Sequence, residues 1–230
     1  MSPFPRLPWQ FNFPRRAGEA KVSLGGTPLT VGWLAVAGML SPCVAHAAEP
    51  PKPAIATESV VRFNTLCATC HEGECSSRLS FKLDASASDN HVRRYAGDIA
   101  SATARELAAL LEHMKLQCGY YEIQLPTPAD GRWRAELLRQ LHAAQENAWF
   151  VPLGPLPAGP RRFVLQFDGD AVVSVQLISS SFEIEEQPAV TTVEGRGSVT
   201  LGVHKPGAHY LRLRADRAVR LRALDMEANP

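Results

Sequence analysis

The chain has 230 residues, 45% of them hydrophobic and 20% charged, which is enough for one large globular domain or two small ones. Lys and Arg number 24 against 23 Asp and Glu, so no basic excess points to nucleic acid. Five cysteines are too few for a disulfide scaffold of this length, so their spacing matters more than their number.

Arg15, Arg16 and Lys21 precede an apolar run from Val31 to Leu40, followed by Ser41-Pro42 and the small-residue site Ala45-His46-Ala47. Charged lead, short apolar core and A-x-A site predict a secretory signal over residues 1–47, cleaved after Ala47, and hence a periplasmic protein. The alternative, an uncleaved anchor, would need about 20 apolar residues, so no integral span is expected in the mature chain. Cleavage removes Cys43 and leaves Cys67, Cys70, Cys75 and Cys118. Residues 48–56, with Pro50, Pro51 and Pro53, read as an extended tether.

Residues 57–125 favour helix. Thr57 is placed to cap a helix carrying Val60, Val61, Phe63 and Leu66. Over 104–117, Leu107, Leu110, Leu111 and Met114 recur at helical spacing, with Gly119 placed to stop the helix. Within 126–147, Asp130 is placed to cap a linking helix through Trp133, Leu137, Leu138 and Leu141.

From 148 to 230 the period changes to two. Residues 162–167 and 171–178 flank Asp168-Gly169-Asp170 and predict a β-hairpin, with alternating runs again at 198–203, 210–214 and 219–224. Short strands of this number predict an antiparallel β-sandwich. Arg212, Arg214, Arg220 and Arg222 fall in pairs on outward strand faces, which reads as a solvated face or a docking surface for an acidic partner. Asp168-Gly169-Asp170 is at most a weak calcium signal, because Asp and Gly are ordinary turn residues.

The chemistry sits in Cys67-Ala68-Thr69-Cys70-His71, the C-x-x-C-H of covalent haem attachment. Two thiols at this spacing on a helix end reach the two vinyl groups along one haem edge, and the next imidazole becomes the proximal iron ligand. A thioredoxin-like pair would want a βαβ setting that is not predicted here. A zinc site with Cys75 lacks a second C-x-x-C or a paired-histidine partner. The cofactor expected is therefore one covalent haem c.

Residues 63–71, FNTLCATCH, resemble the N-terminal helix and haem motif of class I c-type cytochromes, and 106–115, ELAALLEHMK, resembles that family's C-terminal helix. The resemblance covers about residues 57–117 and implies a small all-α cytochrome c-like domain over 57–125; with the antiparallel β-sandwich domain read over 148–230, the fold class expected is α+β. It also implies that the two helices cross near the haem edge. The family's methionine-bearing loop has no counterpart here.

The sixth ligand is therefore open between His91, Met114 and a vacant position. Met114 shares the Leu107, Leu110 and Leu111 stripe and reads as core packing. His91 lies in the polar stretch Ser88-Asp89-Asn90-His91, read as a loop, where the family places its distal ligand. An imidazole there is expected opposite His71. Arg93, Arg94 and Tyr95 are candidates for the haem propionates, and Leu79, Phe81 and Val92 for an apolar wall. Cys75 and Cys118 remain, and two leftover cysteines in an oxidising compartment are expected to pair, the alternatives being free thiols or a regulatory dithiol. Their loop of about 44 residues would stabilise the fold by about 4 kcal/mol.

No catalytic constellation appears in residues 148–230. The function expected is one-electron transfer by an exported monohaem cytochrome that meets a redox partner protein through its β module. The alternatives are a haem c enzyme or gas sensor with an open distal site, and a binding protein in which haem is structural.

Overall fold

The computed structural model describes residues 55–72 and 85–228. The first helix is continuous but built in three parts: α1 (Thr57–Arg62), a π-helical turn (Phe63–Cys67) and α2 (Ala68–His71). Ala56 rather than Thr57 is the N-cap. Short π segments recur at functional sites, and this one ends on the first cysteine of the motif.

The stretch read as a polar loop is helix α3 (Ala85–Ala96). The i,i+4 pair of Arg93 Nε with Asp89 Oδ2 at 2.8 Å supports it, and Arg93 also donates to the Ile99 carbonyl and to Ser101 Oγ. Arg93 is thus occupied in joining α3 to α4 (Ser101–Gln117), while Tyr95 is 60% exposed. Leu107, Leu110 and Met114 are each 1% exposed, as the stripe predicts. Helix α4 ends one residue earlier than expected: Cys118, not Gly119, takes the left-handed turn (φ 52°) and donates its N–H to the Met114 carbonyl. A Met114→Leu change, which conserves volume, should cost under about 1.5 kcal/mol in urea unfolding and leave any iron spectrum unchanged.

The linking helix forms only in part. Asp130 Oδ1 accepts the Arg132 N–H in a tight turn, and Trp133 then belongs to strand β1 (Arg132–Arg134), ahead of α5 (Ala135–Gln140). The physical reason is pairing: Trp133 lies opposite Leu224, and its ring is wholly buried.

Nine further strands follow: β2 (His142–Ala143), β3 (Ala148–Leu156), β4 (Gly159–Phe167), β5 (Val172–Ser179), β6 (Ile184–Glu186), β7 (Ala189–Thr191), β8 (Arg196–Val203), β9 (Gly207–Ala215) and β10 (Leu221–Ala228). One sheet has the order β1-β10-β4-β8, the other β2-β3-β9-β5-β6, with β7 also on β5. All pairings between these strands are antiparallel. Between the sheets lie Phe163, Leu165 and Leu201 from one side and Val173, Val175, Leu211 and Leu213 from the other, each under 1% exposed. This is the antiparallel β-sandwich that the alternation predicts.

The predicted β4–β5 hairpin does not form. The two strands lie in different sheets, and the Asp168-Gly169-Asp170 turn carries the chain across. Its carboxylates are taken by backbone: Asp168 accepts the Arg220 N–H at 2.7 Å and Asp170 the Gly195 N–H at 2.7 Å. Gly195, in the turn between β7 and β8, sits at φ 73°, where an added Cβ would lie 2.5 Å from the Phe167 carbonyl oxygen, so only glycine fits where that turn meets the crossover.

Among the described residues there is no cytochrome-like all-α domain. The described residues belong to one compact unit, and Val60, Phe63, Leu107 and Met114 share one hydrophobic core with the strands. Residues 1–54, which hold the predicted signal and most of the predicted tether, lie outside the described residues, as do Cys75, Leu79 and Phe81. No described helix is long and apolar enough to cross a membrane.

Candidate functional site

Cys67, Cys70 and His71 stand at i, i+3 and i+4, so they share one side of the helix. Cys67 and His71 are half-buried and Cys70 is exposed. Thr65, Ala68 and Glu72 fall on the other side and are buried against the six-stranded sheet. The helix therefore has a fixed back and an open front, and the motif occupies the front.

The back is held by a buried polar network. Arg212, on the outer face of β9 and 4% exposed, pairs with the Glu72 carboxylate, and its Nη1 also donates to Gln176 Oε1 at 3.0 Å. Tyr120 donates its hydroxyl to the same carboxylate at 2.5 Å. Burial and the adjacent Glu72 charge push the Tyr120 phenol far above its ordinary range, so it stays a donor at any working pH. The ring packs against Phe150, Phe182 and Tyr210, with centroids 4.7–5.1 Å away, pinning the segment after α4 to the sheet. Arg214 adds a 2.6 Å bond to the Thr65 carbonyl. The reading of Arg212 as an outward docking residue is thus corrected: its acidic partner is Glu72, the residue that follows His71.

At the front, His91 projects from α3 toward the motif. The His71 and His91 ring centroids lie 6.2 Å apart, and His91 also packs on Tyr95 at 4.9 Å. A ring nitrogen lies about 1.1 Å from its centroid and an imidazole–metal bond is about 2.0 Å, so two imidazoles sharing one metal ion have centroids about 6.2 Å apart. His91 is exposed and helical rather than in a loop, and its ring meets that of His71 edge-on at 64°. Met114 is in the core, 1% exposed.

The two motif cysteines are free thiols in unlike surroundings. Burial, with the nearby Glu146 carboxylate, pushes the Cys67 thiol up to about 11 from an ordinary 9.0. A thiol that resists ionisation is a poor attacking group in disulfide exchange, which sets this pair apart from redox C-x-x-C sites. In protein lacking a cofactor, the neutral thiol is preferred by the fold. Stability should therefore fall as pH rises from 9.0 toward about 11, where the unfolded chain ionises first. Iodoacetamide labelling followed by mass spectrometry should modify Cys70 readily at pH 8 and Cys67 slowly; equal rates would contradict the assignment. Cys118 is disulfide-bonded, and since Cys67 and Cys70 are free its partner is neither of them. Cys75, the partner expected, lies outside the described residues.

No protein-family model matches this chain, and no curated protein does. Among solved structures, similarity is found to a family 35 carbohydrate-binding module in complex with a glucuronic acid-containing disaccharide, at 13% identity and a TM-score of 0.28 over 36% of this chain and 66% of that one. A family 35 module from Cellvibrio japonicus Abf62 gives 12% and 0.27 over 36% and 65%. A ruminal family 26 endo-β-1,4-mannanase gives 9% and 0.33 over 46% and 27%. The chain spans less than two thirds of each, and at these scores the likeness assigns neither ligand nor activity. These neighbours are carbohydrate-binding modules and a glycoside hydrolase rather than cytochromes, and the expectation of a cytochrome c-like domain is corrected by the fold itself. The physical reason lies in the fold, where the helices carrying the motif are laid on a sandwich rather than closed into a domain of their own.

Proposed function

We propose that this is an exported protein that takes one covalent haem c on its β-sandwich, which Cys67 and Cys70 would attach and whose iron His71 and His91 would hold. The observation that supports it best is the 6.2 Å separation of the two imidazoles in front of the two thiols. The group, when bound, would supply a one-electron redox couple. Every other part is played by the chain. Cys67, kept neutral by burial, and Cys70, open to the front, present the two sulfurs. Glu72, Arg212 and Tyr120 fix the helix that aims His71. No acid–base pair is needed for a one-electron step, and none is brought to this front.

The test is expression of the full chain in a host able to attach haem c, followed by intact mass and visible spectroscopy. The expected result is one haem per chain, retained after denaturation, with a six-coordinate spectrum. Free thiols at both motif positions, with no added mass, would overturn the reading. A haem retained but five-coordinate would instead favour the open-site sensor or enzyme.

A further inference from the structure

Behind the helix, on the side away from the motif front, the outer face of the six-stranded sheet holds a half-open concavity of about 350 Å³. Its described lining is Thr69, Ser174, Gln176, Gln187, Arg212 and Arg214. Every one of these side chains can donate a hydrogen bond, and none is a carboxylate. The two guanidinium groups differ in how far they are already used. Arg212 is used up: its Nη atoms meet Glu72 and Gln176, and its Nε is shut off from solvent. Arg214 is exposed, gives one N–H to the Thr65 carbonyl, and has no ion-pair partner among the described residues. Glu72 offsets one positive charge, which leaves the pocket with an excess of one.

We infer that this pocket binds a small oxyanion, a carboxylate, phosphate or sulfate, recognised by the exposed Arg214 guanidinium with Ser174, Gln176 and Gln187 around it. Arg214 lines a concavity of hydrogen-bond donors with no carboxylate to offset its charge, and an anion is the partner that satisfies such a group most strongly. The volume lies at the low end of small-ligand sites, so the anion is small or is one group of a compact polar molecule. The inference does not depend on haem, because the pocket lies on the opposite side of the helix from Cys67, Cys70 and His71.

The experiment is isothermal titration of the full chain with inorganic phosphate, sulfate and acetate, each against chloride at matched ionic strength. At least one oxyanion should bind saturably, and the three arms identify which. Arg214→Gln should weaken that binding roughly tenfold or more, the loss expected for one charge-assisted bond. Arg222→Gln, on the other sheet beside Asp168, should leave it unchanged. Should Arg214→Gln fail to fold, Ser174→Leu, which fills the pocket without removing charge, is expected to block binding. Absence of saturable heat with all three anions would overturn the inference, as would equal weakening by Arg222→Gln, which would mark nonspecific charge screening.

Discussion

Replacing Glu72 with alanine should destabilise the protein by about 3–5 kcal/mol, the range for breaking one side of a buried ion pair. The carboxylate is buried and accepts from Tyr120 and Arg212, so its removal strands a guanidinium that is 4% exposed beside Phe150. Urea unfolding of the wild type, Glu72→Ala and Glu72→Gln measures this directly. The glutamine should retain part of the stability by accepting one bond. The pair Glu72→Leu with Arg212→Met should recover most of it, since apolar replacement of both partners removes the stranded charge. A loss below about 1 kcal/mol in Glu72→Ala would show the pair to be solvated. In haem-loaded protein Glu72→Gln should also shift the iron's reduction potential, a readout that a purely structural role would leave alone.

The second large effect is expected at His91. His91→Ala should turn a site that resists carbon monoxide into one that binds it stoichiometrically after reduction, because the imidazole facing His71 is gone. His91 is exposed, so the fold should be nearly untouched, with a change within about 0.5 kcal/mol. Unchanged coordination in His91→Ala would sink its assignment as ligand. Met114→Leu is the companion control, since Met114 is buried among Leu107 and Leu110.

What could be read in the sequence followed from short-range regularity. The C-x-x-C-H spacing, the Leu107–Met114 stripe and the alternation of residues 148–230 each specify a local geometry that survives folding. Misreadings arose where one local signal serves two long-range outcomes. Asp168-Gly169-Asp170 turns a chain equally well within a sheet or between sheets, and only the pairing of β4 with β10 and β8 decides. Arg212 alternates on β9 as a solvated residue would; its partner Glu72 is 140 positions away. The helical state of His91 was legible in principle, because Asp89 and Arg93 stand at i,i+4, but Ser88 and Asn90 argued for a loop. The π-helical turn at Phe63–Cys67 leaves no sequence signal that we can name.

The 140-position span between Glu72 and Arg212 also sets an order of events. A chain is made from its N-terminus, so the motif exists long before the strand that will hold its back. Until β9 has been made and has joined β3 and β5, the helix has no sheet to dock on, and its isolated length is too short to be stable in water. Throughout that interval Cys67, later half-buried with a thiol pushed up to about 11, is as reachable and as ionisable as any cysteine in an unfolded chain. Any reagent that must reach both sulfurs therefore meets them most easily before the C-terminal strands close, since a chain that folds first offers one exposed and one half-buried thiol.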